Sequence, residues 1–156
     1  MKLSNYLHET GIDLDLRGTK KEEVIRNLAD RLRERAQILD FDTFVSEVLN
    51  REKEFSTGIG DGIAIPHART DAVTDFVVAV GRVPGGIQFD SIDHLSVDIV
   101  ILMGTPAESK RTYLQFLATL NLLLKRGGIR EALRAAKSPD EVIRIFRENE
   151  DGLDDR

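Results

Sequence analysis

The chain has no cysteine and no tryptophan, and only four prolines. The missing cysteine excludes disulfide staples, thiolate zinc sites and thiol nucleophiles. Histidine is scarce too: His8, His67 and His94 are the three present, and none forms an HxxxH pair. No metal site and no cofactor is therefore expected. A basic excess is also lacking. Lysine and arginine number 22 against 27 aspartates and glutamates, a net charge of −5. Phosphate backbones select basic surfaces, so nucleic acid is not the expected partner. Arg17, Lys20, Lys21, Arg26, Arg31, Arg33 and Arg35 crowd one stretch, but acids interrupt it and a solvated helix face is the simpler reading. No apolar run is long enough to span a membrane, and the opening MKLSNYLHETG lacks the apolar centre of a signal peptide. Membrane insertion is not expected, and the cytoplasm is the default location.

What is present suits a globular domain. With 156 residues, 41% of them hydrophobic, the chain can bury a core without staples. One domain is expected over 1–150, followed by an acidic frayed tail at 151–156. The alternation in Ile12-Asp13-Leu14-Asp15-Leu16 predicts a short half-buried strand. Thr19 and Glu22 have the spacing of a capping box ahead of Val24, Ile25, Leu28 and Leu32. A second helix is expected from Asp40, with Phe41, Phe44, Val45, Val48 and Leu49 as its apolar stripe, ending near Arg51-Glu52.

Residues 55–70 then change character, to a glycine-rich loop enclosing a short strand at Ile63-Ala64-Ile65. Phe76–Val80 and Val97–Met103 predict two further strands, the second fully buried, with a turn at Pro84-Gly85-Gly86 between them. Leu114, Leu117, Leu120 and Leu124 recur at helical spacing from about Ser109, and Gly127-Gly128 is expected to stop that helix. A short helix through Leu133 follows. Ser138-Pro139-Asp140-Glu141 then supplies an N-cap, a first-turn proline and a capping-box glutamate. The order is one strand, two helices, about three strands and three helices. It predicts a three-layer α/β/α sandwich around a mixed sheet.

His67 is the residue best placed for chemistry. It follows Pro66, which bars helix continuation, and lies downstream of Gly58, Gly60 and Gly62, which permit close approach of a ligand or partner. Arg69 is two residues beyond it, and Arg51 closes the preceding helix. Imidazole is largely neutral near pH 7, so one ring nitrogen has a free lone pair. Arginines and backbone N–H groups stabilise the charge spread over a transferring phosphoryl group. The glycine run is not a P-loop, since no Gly-Lys-Ser/Thr follows, and Pro66 stands where a dinucleotide-binding helix would begin. On the residues alone, a loop histidine satisfied by backbone remains an equal alternative. An Asp93-His94 pair and His8 are expected to be surface or structural.

The stretch Arg51-Glu52, Ser56-Thr57-Gly58-Ile59-Gly60 and Gly62-Ile63-Ala64-Ile65-Pro66-His67 resembles the signature of fructose/mannitol-type enzyme IIA domains of the bacterial phosphoenolpyruvate-dependent phosphotransferase system. Ile87–Asp93 and Leu133–Ala136 are similar to the nitrogen-regulatory branch of that family. The resemblance implies that His67 accepts a phosphoryl group through Nε2 from a histidine-containing phosphocarrier protein, with Arg51 and Thr57 beside it and Arg69 as a weaker match. It also implies a second histidine at the start of the long helix, where this chain has Tyr113. Tyrosine can donate a hydrogen bond but stays neutral, so one cationic neighbour of the phosphate is missing. The expected role is a regulatory phosphocarrier acting on a target protein. The alternatives are a sugar-transport component passing phosphate to a IIB partner and a degenerate binding module. The FDSID segment and the lack of fused domains lean towards regulation.

Overall fold

The computed structural model describes residues 2–151. Four of the six strands are short, and the sheet is built on two long ones, β5 (Val77–Ile87) and β6 (Val97–Thr105). These pair antiparallel, from Val77 against Gly104 to Ile87 against Val97. β1 (Ile12–Asp13) adds to β5 in parallel. On the far side of β6 two short strands follow each other along one edge. β3 (Ile63–Ala64) is parallel to Ile99 and Val100, and β4 (His67–Arg69) is parallel to Met103, Gly104 and Thr105. β2 (Gly58–Gly60) closes the sheet antiparallel to β3.

The alternation of side chains along the two central strands divides the core. Val78, Val80, Ile99, Ile101 and Met103 face one cluster, which α3 (Lys110–Leu124), α4 (Ile129–Ala135) and α5 (Pro139–Asn149) complete with Phe116, Leu120, Leu133 and Phe146. Val77, Ala79, Val100 and Leu102 face the other, covered by α1 (Lys21–Ala29) and α2 (Phe41–Glu54) through Leu28, Phe44, Val45 and Val48. Because side chains point to opposite faces with a period of two, strands buried on both faces are apolar at nearly every position, which is why β6 reads as an apolar run interrupted at Asp98, half-buried and paired with Arg134. The three-layer α/β/α sandwich with a mixed sheet is the observed fold.

Several local expectations need correction. The first helix is not capped by a Thr19–Glu22 box. It begins at Lys21 with Lys20 in the N-cap position and no side-chain cap, and Thr19 instead reaches Glu23. Pro84-Gly85-Gly86 does not end a strand. β5 runs through it with a register shift, and positive φ at Gly85 and Gly86 absorbs the extra residues as a bulge. β1 stops after Asp13, whose carboxylate accepts from the Asp15 N–H and turns the chain. α3 ends at Leu124, before the two glycines, and Gly128 opens α4 in the left-handed conformation. Five strands, not three, lie between α2 and α3. Ser138 caps α5 as expected, accepting from the Glu141 N–H, and α2 starts after Asp40 as expected, with Asp40 also accepting from the Thr43 N–H as its cap. Of the expected acidic tail, 152–156 lies outside the described residues.

Candidate active site

β4 brings His67 to the end of the sheet next to α2 and α3. Pro66 has no N–H, but its carbonyl accepts from the Met103 N–H and so docks the strand on β6. Ala68 packs into the cluster under α1 and α2, so His67, one residue earlier, emerges on the opposite face towards α3. A cavity of about 400 Å³ opens there. It is walled by Glu47 and Arg51 of α2, His67 and Arg69 of β4, and Lys110 and Tyr113 of α3. Four of the five expected site residues therefore meet in one place.

The histidine ring is held in one orientation. Its Nδ1 lies 2.8 Å from the Ile65 carbonyl oxygen. A carbonyl only accepts, so the neutral ring must carry its proton on Nδ1, which leaves the Nε2 lone pair free. Burial holds the His67 pKa below the usual histidine value, and the nearby Arg51 charge acts in the same direction, against the Ile65 hydrogen bond. The imidazole is thus neutral and nucleophilic near pH 7.

Tyr113 sits against it, with ring centroids 5.4 Å apart. The Arg69 guanidinium carbon is 5.7 Å from the Tyr113 ring centroid. Burial raises the Tyr113 pKa, so its hydroxyl keeps its proton and can donate. Arg51 donates to the Phe55 carbonyl, 2.9 Å away, across the end of α2. Three cations, Arg51, Arg69 and Lys110, thus outnumber the single carboxylate of Glu47 around the cavity. Such a mouth favours an anionic group.

Thr57 does not line this cavity. It is buried, and both its N–H and Oγ1 donate to the Glu52 carboxylate, at 3.0 and 2.7 Å. Its carbonyl accepts from the Ile65 N–H at 3.0 Å. A continuous chain therefore runs from Glu52 through Thr57 and Ile65 to His67 Nδ1. Glu52, which is 3% exposed and has Lys21 Nζ at 3.6 Å, anchors that chain. Sequence reasoning chose Arg51 from the Arg51-Glu52 pair and passed over Glu52. The available signal was its spacing: it continues the Val48, Leu49 stripe, a carboxylate on the buried face of α2. Lys110 also went unnoticed, one of several cations at the start of α3. Asp93 accepts from the Asp61 and Leu95 N–H groups, which leaves His94 in a tight turn at positive φ. Among the described residues, no cluster of histidine, aspartate and glutamate could hold a metal ion, and no helix is long and apolar enough to cross a membrane.

The family model of the phosphoenolpyruvate-dependent sugar phosphotransferase system, EIIA 2, matches residues 5–149. The fructose-specific EIIABC component of the phosphotransferase system from Bacillus subtilis (strain 168) is 34% identical over 150 residues, 96% of this chain and 24% of that protein. The chain thus spans about a quarter of that relative's length. The nitrogen regulatory protein IIA-Ntr from Neisseria meningitidis superposes with a TM-score of 0.85 at 28% identity, covering 92% of this chain and 98% of that one. Enzyme IIAMTL from Escherichia coli, in its complex with phosphorylated enzyme IIBMTL, gives a TM-score of 0.77 at 25% identity, over 90% of this chain and 96% of that one. The chain therefore belongs to the EIIA 2 family of the phosphoenolpyruvate-dependent sugar phosphotransferase system, as an EIIA-type domain of either the sugar-specific or the nitrogen regulatory kind.

Proposed function

We propose that this chain is a cytoplasmic phosphocarrier that accepts a phosphoryl group on His67 Nε2 from a histidine-containing phosphocarrier protein. The observation that carries this is the 2.8 Å contact of His67 Nδ1 with the Ile65 carbonyl, which assigns the proton to Nδ1 and leaves Nε2 as the nucleophile of a ring that lines a cationic cavity. In the transfer the N–P bond of the donor breaks and its electron pair stays on the donor nitrogen. The Nε2 lone pair forms the new N–P bond. The Nδ1 proton stays in place, and the Ile65 oxygen stabilises the positive charge that the ring gains. Arg51, Arg69 and Lys110 offset the charge on the phosphoryl oxygens, and the Tyr113 hydroxyl donates to one of them. Thr57 and Glu52 position the ring without touching the phosphate.

The use of that phosphate is regulatory in this reading, with a target protein that distinguishes the two states of the His67 cavity. The close superposition on a nitrogen regulatory protein favours it. A second reading, transfer to a sugar-specific IIB domain, is favoured by the identity to a fructose-specific component. Phosphorylation of the purified chain by phosphoenolpyruvate, enzyme I and the phosphocarrier protein, read by intact mass, tests the common step. One acid-labile phosphate absent from His67→Ala is expected. No phosphate, with donors active on another acceptor, overturns the phosphocarrier reading and leaves a degenerate module. Addition of IIB domains then separates the two uses, because only the transport reading predicts loss of the phosphate to them.

A further inference from the structure

A second cavity, of about 180 Å³, lies away from His67 at the opposite edge of the central strand pair. β1 pairs with β5 only at Val80 and Gly81, so Val77 and Val78, beyond its end, are free to form a wall of this cavity. Val78, Met103 and His67 share one rung of the sheet, which places β6 between the cavity and the His67 site. The other apolar walls are Tyr6, Leu32 and Phe76.

The polar groups in this cavity are poorly matched to one another. Arg35 is half-buried, yet its one side-chain partner is the Thr10 hydroxyl at 3.4 Å, and it forms no ion pair among the described residues. Its guanidinium lies over Gly11, where a Cβ would come within 3.2 Å of Nη2. The chain thus leaves room for an arginine, and among the described residues no carboxylate pairs with it. His8 stands beside it, and the Asn5 and Gln37 amides also line the space. Burial lowers the pKa of Arg35, the response of a cation partly kept from water, and partial burial with the Arg35 charge lowers that of the exposed His8. Asp75 is the one acid on the rim, and its Oδ1 is engaged by the Phe76 N–H at 2.7 Å.

A half-buried guanidinium without a carboxylate is completed by a planar anion that it can grip with two N–H groups. Two amides and a carboxylate on the same walls complement an ammonium group and a short polar side chain. A dry cavity of about 150 Å³ takes benzene, so this one holds a ligand of about seven non-hydrogen atoms. We infer that this cavity is a binding site for a small α-amino acid, its carboxylate held by Arg35 and its ammonium group by Asp75. The inference does not depend on phosphoryl transfer at His67.

Titration of the ¹⁵N-labelled chain with small α-amino acids, succinate and inorganic phosphate tests it, with the backbone amides of Gln37, Val77 and Val78 as reporters. At least one amino acid is expected to shift these amides with a dissociation constant of about 1 mM or tighter. Arg35→Gln is expected to weaken binding roughly tenfold, through loss of the charge-assisted pair, and Asp75→Asn to weaken amino acids but not succinate. Both variants should keep the wild-type dispersion of amide shifts outside the cavity, which shows that they fold. No shift with any amino acid up to about 10 mM overturns the inference. So does equal binding of succinate or phosphate, or binding that both variants retain.

Discussion

At the scale of single residues, the site works through what each side chain cannot do. Ile65 offers only a carbonyl, so His67 cannot put its proton on Nε2 without breaking a hydrogen bond. Thr57 fixes where that carbonyl lies, because its own carbonyl holds the Ile65 N–H and its donors are both spent on Glu52. Thr57→Val should therefore leave one Glu52 oxygen short of a donor and loosen the loop. We expect ring-nitrogen NMR shifts to show a mixed His67 tautomer and a phosphorylation rate about tenfold lower, with Thr57→Ser restoring both. An unchanged tautomer would reduce Thr57 to a turn-stabilising hydroxyl. Tyr113→Phe keeps the ring packed on His67 and removes only the hydroxyl. A hydrogen bond to a charged group contributes about 1.5–3 kcal/mol, so transfer should slow by tenfold or more in single-turnover measurements. An unaltered rate would make Tyr113 a packing residue. His67 and Arg51 could be picked out as candidates from the sequence because their residue types suit phosphoryl chemistry. Glu52 could not, because an acidic residue beside an arginine looks like an ordinary surface pair until the helix is docked.

At the scale of elements, the buried runs, the Ser138 cap and the short strands at Ile12 and Ile63 were legible, whereas β2, β4 and the uncapped start of α1 were not. Ser138 caps α5 through the Glu141 N–H, and Ser138→Ala should cost about 1 kcal/mol in denaturant unfolding. β2 and β4 escaped notice because three residues carry no periodicity, and because β2 contains two glycines, which disfavour strands on propensity alone. They exist because β3 and β6 already present unpaired backbone to them. The packing of α2 on β6 depends on a missing side chain. A Cβ on Gly104 would lie 2.4 Å from Phe44 Cε2 and 3.0 Å from Val77 Cγ2. Gly104→Ala should thus push α2 off the sheet at a cost of about 1–3 kcal/mol and move Arg51 with it. Lower thermal stability together with slower phosphorylation is expected; a loss of stability alone would detach α2 from the site's geometry.

At the scale of the molecule, burial of a titratable ring links the site to stability. The folded His67 binds its proton less readily than the unfolded chain does, because burial and Arg51 oppose the charged form. Its contribution to stability is complete above the unfolded value of about 6.5 and is lost as pH falls below it. His67→Gln should flatten the decline of stability between about pH 6.5 and 5, measured by urea unfolding at each pH. An equally steep decline in the variant would assign the acid sensitivity to other groups. The sequence by itself determined the layers. A nearly continuous apolar run must be buried on both faces, stripes at helical spacing must cover those faces, and His67 between Pro66 and Arg69 stands out as the candidate nucleophile. Only the tertiary structure decided which groups meet. Arg51, Arg69, Lys110 and Tyr113 belong to three elements, and the cavity they share with His67 exists because β4 follows β3 along the same edge of β6. Strand order and helix docking are set by packing over the whole sheet, whereas sequence patterns report only what neighbours along the chain require.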